Sequence, residues 1–225
     1  MVLNAKEPFR FYSRQNLTFL SGRKATDILE LLDGIKEAPD MSIYHHTHHY
    51  LEQHEFLSPE PPNDFAYWVT NVLHDKLVGE EIASLDLRQY STISEIRQRI
   101  IEILEFSINQ NTEHFSRKSP PGEEFHFMSA RSFVFPTKYI ANNLIEFYDC
   151  LKKVTINSVF YHVFEARLFR KIPGFCEWLL SSLDEKELSE EICKLDPYTQ
   201  TMENLRKMLV GLVETRLKVY NYGFA

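Results

Sequence analysis

FRFYSRQNLTFL, residues 9–20, returns as FHFMSARSFVFP at residues 125–136, and the reading of these two runs decides the fold. Aromatic or aliphatic side chains stand at Phe9, Phe11, Leu17 and Phe19, then at Phe125, Phe127, Phe133 and Phe135, a shift of 116 residues throughout. Such alternation admits a short strand, but Ser and Arg interrupt both runs. Each run is therefore read as an extended arm packed on helices, and the arms are the only β candidates.

The same shift continues behind each arm. Ser21 and Thr137 suit helix N-caps, where a hydroxyl accepts a free backbone N–H. The segments that follow, Lys24–Glu37 and Lys138–Lys153, are amphipathic: Ile28, Leu31 and Ile35 in one are answered by Leu144, Phe147 and Leu151 in the other. Glu30 and Glu146 match as well, on a solvated face. Ser42 and Ser158 are the next expected caps, opening helices that carry His46 and His162. After loops of unequal length, FAYWV at 65–69 matches FCEWL at 175–179, now offset by 110. Long last helices, 92–108 and 201–220, complete both copies. The expected fold is all-α: two internally duplicated helical halves related by a pseudo-two-fold, each preceded by an aromatic arm able to form a short strand. Repeat 1 covers 9–108, a polar linker 109–124, and repeat 2 125–220.

Composition narrows the function classes. A hydrophobic share of 44% supplies a core, and a net charge of −7 argues against nucleic acid as a partner. Cys150, Cys176 and Cys193 form no CxxC pair and are read as small buried hydrophobes in a reducing compartment. No apolar leader and no apolar run of membrane length is present, so the expected location is cytoplasmic.

The run MSIYHHTHHYL, 41–51, is the one stretch that suggests chemistry. On a helix His45 lies one turn from His48 and His49, a spacing that can hold zinc or another divalent metal, with Glu52 or Asp64 adding an oxygen. The duplicate replaces these with Tyr161, Phe164 and Glu165, the behaviour of packing positions. His46 and His162 alone survive duplication. They are candidate ligand donors, each otherwise a buried histidine whose N–H bonds a backbone carbonyl. Glu165 and Arg167 beside His162, with Arg14 and Arg23 from the first arm, complete the candidate binding set; an anion at a helix N-terminus would suit the arginines. Trp68 and Trp178 read as core anchors, or else as a stacking platform for sugar.

The strings SGRKATDILELLDGIKEAPDMSIYHHTHHYL and SPEPPNDFAYWV, with the layout of residues 9–218, resemble a family of bacterial domains of unknown function. The resemblance implies the duplicated fold and a bacterial cytosol; it implies no activity and no residue roles. The resulting expectation is a binding or regulatory module rather than an enzyme, with a groove between its halves for a protein partner or small polar ligand. The alternatives are a metal-dependent hydrolase built on the helix 42–53 and an accessory subunit of a carbohydrate-active enzyme.

Overall fold

The computed structural model describes residues 4–48, 63–110, 117–166, 174–196 and 200–220. Its first feature corrects the all-α expectation. Strand β1, Asn4–Ala25, and strand β2, Phe125–Asn143, pair in one antiparallel two-stranded sheet. Among the described residues helix accounts for 59% and strand for 22%, so the class is mixed α/β. The arms are far longer than short strands, at 22 and 19 residues. Pairing explains the length: a ladder satisfies backbone N–H and C=O groups along both segments, so the interrupting Ser and Arg residues do not stop it.

Five helices follow β1 among the described residues: α1 (Ile28–Glu37), α2 (Asp40–His48), α3 (Asp64–Asn71), α4 (Lys76–Ala83) and α5 (Ile93–Gln110). Five more follow β2: α6 (Leu144–Lys153), α7 (Ile156–Phe160), α8 (Phe175–Leu183), α9 (Lys186–Cys193) and α10 (Met202–Val219). Helix α7 runs on as a π-helical turn over Tyr161–Glu165. Ser21 and Thr137 cap nothing, because the strands run past them. Asp27 caps α1 by accepting from the N–H groups of Leu29 and Glu30, and Asn143 caps α6 by accepting from that of Glu146. One turn in, Glu30 and Glu146 fold back onto the N–H groups of Thr26 and Asn142. Those backbone bonds hold both carboxyls below the usual carboxylate range.

The chain divides into two compact units, one of which joins the two ends of the chain. The C-unit joins residues up to 15 to those from 132 onward, so it holds α6–α10 and the first part of β1. Among the described residues the N-unit runs from 16 to 131 and holds α1–α5 with the first part of β2. Each set of helices thus receives the Phe-x-Phe of the strand that precedes the other set.

In the C-unit Phe9 lies 5.7 Å from Phe147, 5.5 Å from Phe175 and 5.2 Å from Trp178, between ring centroids. Leu205, Leu209 and Val213 of α10 are buried in the same unit. In the N-unit Phe125 lies 5.2 Å from Phe65 and 5.7 Å from Trp68. Phe127 fills the space left by Gly34, where an added Cβ would run into its ring. Phe9, Phe11, Phe125 and Phe127 are all buried, and each is worth roughly 1.5–3 kcal/mol of transfer from water. None of the described helices is long and apolar enough to cross a membrane.

A disulfide between Cys176 and Cys193 ties α8 to α9, so two of the three cysteines are not the reduced fillers expected, while Cys150 is free and buried. The N-unit has Ala66 and Ala83 at the corresponding positions, offset by the same 110 residues. The bridge closes a separation of 17 residues, for which chain entropy gives about 3 kcal/mol. Replacing both cysteines with alanine should lower stability by about that amount in urea titrations. Adding reductant should destabilise the wild type and leave the double variant unchanged.

Candidate functional site

In each unit three side chains grip the backbone of the incoming arm. In the N-unit the Met128 N–H donates to His46 Nε2 at 2.9 Å, and Ser42 Oγ donates to the Met128 carbonyl at 2.6 Å. Trp68 Nε1–H donates to the Glu123 carbonyl at 2.8 Å. In the C-unit the Tyr12 N–H donates to His162 Nε2 at 2.9 Å, Ser158 Oγ to the Tyr12 carbonyl at 2.6 Å, and Trp178 Nε1–H to the Glu7 carbonyl at 2.7 Å. Every partner is displaced by 116 residues except the tryptophans, displaced by 110. Ser42 and Ser158, expected as caps, lie inside their helices and are wholly buried; they serve the arm instead.

This grip decides the histidine chemistry. A backbone N–H can only donate, so Nε2 of His46 and of His162 carries no proton, and the neutral ring holds its proton on Nδ1. In His46 that Nδ1–H faces Asp64 Oδ2 at 2.8 Å. The C-unit has Gly174 at the position of Asp64.

Of the expected metal set, the structure brings His45 together with His46 and Asp64, with one potential ligand atom from each lying within 4.8 Å of the others. His48 is not part of this group. It stacks on Tyr44 at 4.9 Å between centroids and shares a hydrogen bond with the Thr47 hydroxyl. His49 and Arg167 lie outside the described residues, as does Glu52. A metal on His46 Nδ1 would have to displace the proton that the Met128 bond places there.

The arginines separate. Arg14 is 4% exposed and pairs through Nε with Glu165 Oε2 at 2.9 Å, while its guanidinium lies 4.7 Å from the centre of the Phe160 ring. Glu165 and His162 both belong to the π-helical turn and are buried, so Arg14 and Glu165 form a buried charge pair in the C-unit. Burial first, then the Glu165 charge, pushes the neighbouring Tyr161 phenol up, so it stays a neutral O–H. Arg23, in the N-unit, instead pairs with Glu37 at the surface. The N-unit has Ala130 in place of Arg14, so this pair belongs to one unit alone.

The chain belongs to the Family of unknown function (DUF5752), whose profile matches residues 6–214. No curated protein matches it. Among solved structures it is similar to the structure of OrfY from Thermoproteus tenax, at a TM-score of 0.78 and 27% identity. That likeness covers 95% of this chain and 97% of OrfY, so it supports the mixed fold over nearly the whole length.

His46→Phe or His162→Phe should preserve ring size yet leave a buried arm N–H without an acceptor, at about 1–3 kcal/mol each. Arg14→Met, which removes the ion-pair partner nearest the buried Glu165 charge, should cost about 3–5 kcal/mol, and Arg14→Met with Glu165→Met should recover most of it. Urea unfolding of the four variants checks both statements.

Proposed function

We propose that the protein is a binding module whose two-stranded ribbon docks a protein partner. One observation carries this reading. Successive strand residues point to opposite faces, yet Phe133, Val134 and Phe135 are 53%, 38% and 45% exposed in a row. Both faces of that stretch of β2 are open to solvent. In β1, Leu17, Phe19 and Leu20 are 62%, 46% and 62% exposed. Leu17 and Phe19 correspond to Phe133 and Phe135 at the shift of 116, so the exposure recurs in both units.

The fold does not need these side chains, since the arms are anchored by Phe9, Phe11, Phe125 and Phe127. Consecutive apolar residues left in water on a free-standing ribbon mark a surface that something covers. A second reading, a metal-dependent hydrolase, is favoured by the approach of His45, His46 and Asp64. Its water nucleophile would be held by a metal on that group.

A photo-crosslinking phenylalanine analogue placed at residue 19 or 135, in cells that make the protein, should yield discrete protein adducts. The same analogue at Leu77, 81% exposed on α4, should yield none. Equal labelling from all three positions would contradict docking on the ribbon. Zinc titration separates the second reading: stoichiometric uptake lost in His45→Ala favours the hydrolase, and uptake no tighter than that of His45→Ala counts against it.

A further inference from the structure

The ribbon is charged opposite to the rest of the chain. Strand β1 carries Lys6, Arg10, Arg14, Arg23 and Lys24 against Glu7 alone, and β2 carries Arg131 and Lys138 with no acidic residue. Seven cations against one acid give the strands +6; with −7 for the whole chain, everything else sums to −13. Several of these charges are already met inside their own unit: Arg14 by Glu165, Arg23 by Glu37 and Lys24 by Glu124. Arg10, Arg131 and Lys138 are exposed, and among the described residues none has an ion-pair partner; Lys138 lies over the Tyr139 ring at 5.4 Å. Arg10 and Lys138 share the C-unit with Phe133, Val134 and Phe135, whereas Arg131 shares the N-unit with Leu17, Phe19 and Leu20. Each unit therefore presents bare cations on the same strands as bare apolar side chains.

From this we infer that the ribbon's partner is an acidic polypeptide segment interleaved with apolar residues, one such segment for each unit. The inference rests on the docking reading above and adds the partner's chemistry. Exposed aromatics and arginine are the residue types that dominate protein interfaces, and opposite charge supplies orientation and speed of encounter. A ribbon laid on the ribbon of a second copy would set Arg10, Arg131 and Lys138 against the same cations, and like charges repel. Nucleic acid would meet three bare cations on a chain whose remaining surface is strongly acidic, with a correspondingly weak electrostatic term.

The probe is the acidic aromatic copolymer poly(Glu,Tyr), titrated against the full chain by fluorescence anisotropy. Single-stranded (dT)20 is run beside it, and self-association is followed by sedimentation. Two variants are compared, Arg10→Glu/Arg131→Glu/Lys138→Glu and Phe19→Ser/Phe135→Ser. All five positions are exposed, and circular dichroism confirms that both variants fold. The expected result is binding of poly(Glu,Tyr) that weakens about tenfold in each variant and about tenfold between low and 0.5 M salt. No copolymer binding, with ribbon crosslinks still formed in cells, would overturn the acidic chemistry while leaving the docking reading standing. Copolymer binding that both variants leave unchanged would place the contact elsewhere and overturn the inference. Equal affinity for (dT)20 would make the site a general polyanion surface, and self-association abolished by the variants would make the occupant a second copy; either result overturns it.

Discussion

The hydrogen bond from an arm's backbone N–H to a buried imidazole is the contact on which the structure depends. An arm that carries Phe-x-Phe into a core also carries its backbone there, and each buried N–H and C=O must find a partner. Strand pairing satisfies one edge of the arm. On the other edge, at Tyr12 and Met128, helix side chains take over: histidine accepts the N–H and serine donates to the carbonyl of the same residue. Tryptophan holds the chain five residues earlier, at Glu7 and Glu123. Ring and hydroxyl are therefore needed at one spot in each unit, and both units hold a histidine and a serine there.

The two units then differ in what surrounds the grip. In the C-unit, Arg14 and Glu165 bury a charge pair, and a disulfide ties α8 to α9. In the N-unit those positions hold Ala130, Ala66 and Ala83, and the polarity gathers instead around His45, His46 and Asp64. A buried ion pair is weak evidence of stability, because the cost of desolvation offsets much of the attraction. Its value here lies in register: Arg14 fits only where Glu165 and the Phe160 ring await it.

Much of the helical architecture is legible in the sequence. The constant shifts align α1 with α6, α3 with α8 and α5 with α10, and the apolar faces that pack them stand at helical spacing. Other features are not. The strands cannot be told from arms, because a ladder depends on a partner more than a hundred residues away. Alternation broken by Ser13 and Arg14 also looks local and weak, yet the Arg14 charge is met by Glu165 rather than by water. Which helices receive which arm is hidden too, since Phe9 and Phe125 are equivalent by sequence and either assignment fills a core. Ser42 and Ser158 read as caps because a serine near a helix start has that use most often, although Asp27 and Asn143 carry the same 116-residue signature. The disulfide leaves only a faint trace: two alanines of one copy stand where the other has two cysteines.

The exchange of arms is the central claim, and hydrogen–deuterium exchange on Phe9→Ala/Phe11→Ala measures it most directly. Each truncation of a buried phenylalanine costs about 3–5 kcal/mol where its ring packs. Protection should fall across 144–219 and stay at the wild-type level across 28–110. Loss confined to 28–110 would mean that the first arm serves the helices that directly follow it, and the account of the fold would be wrong.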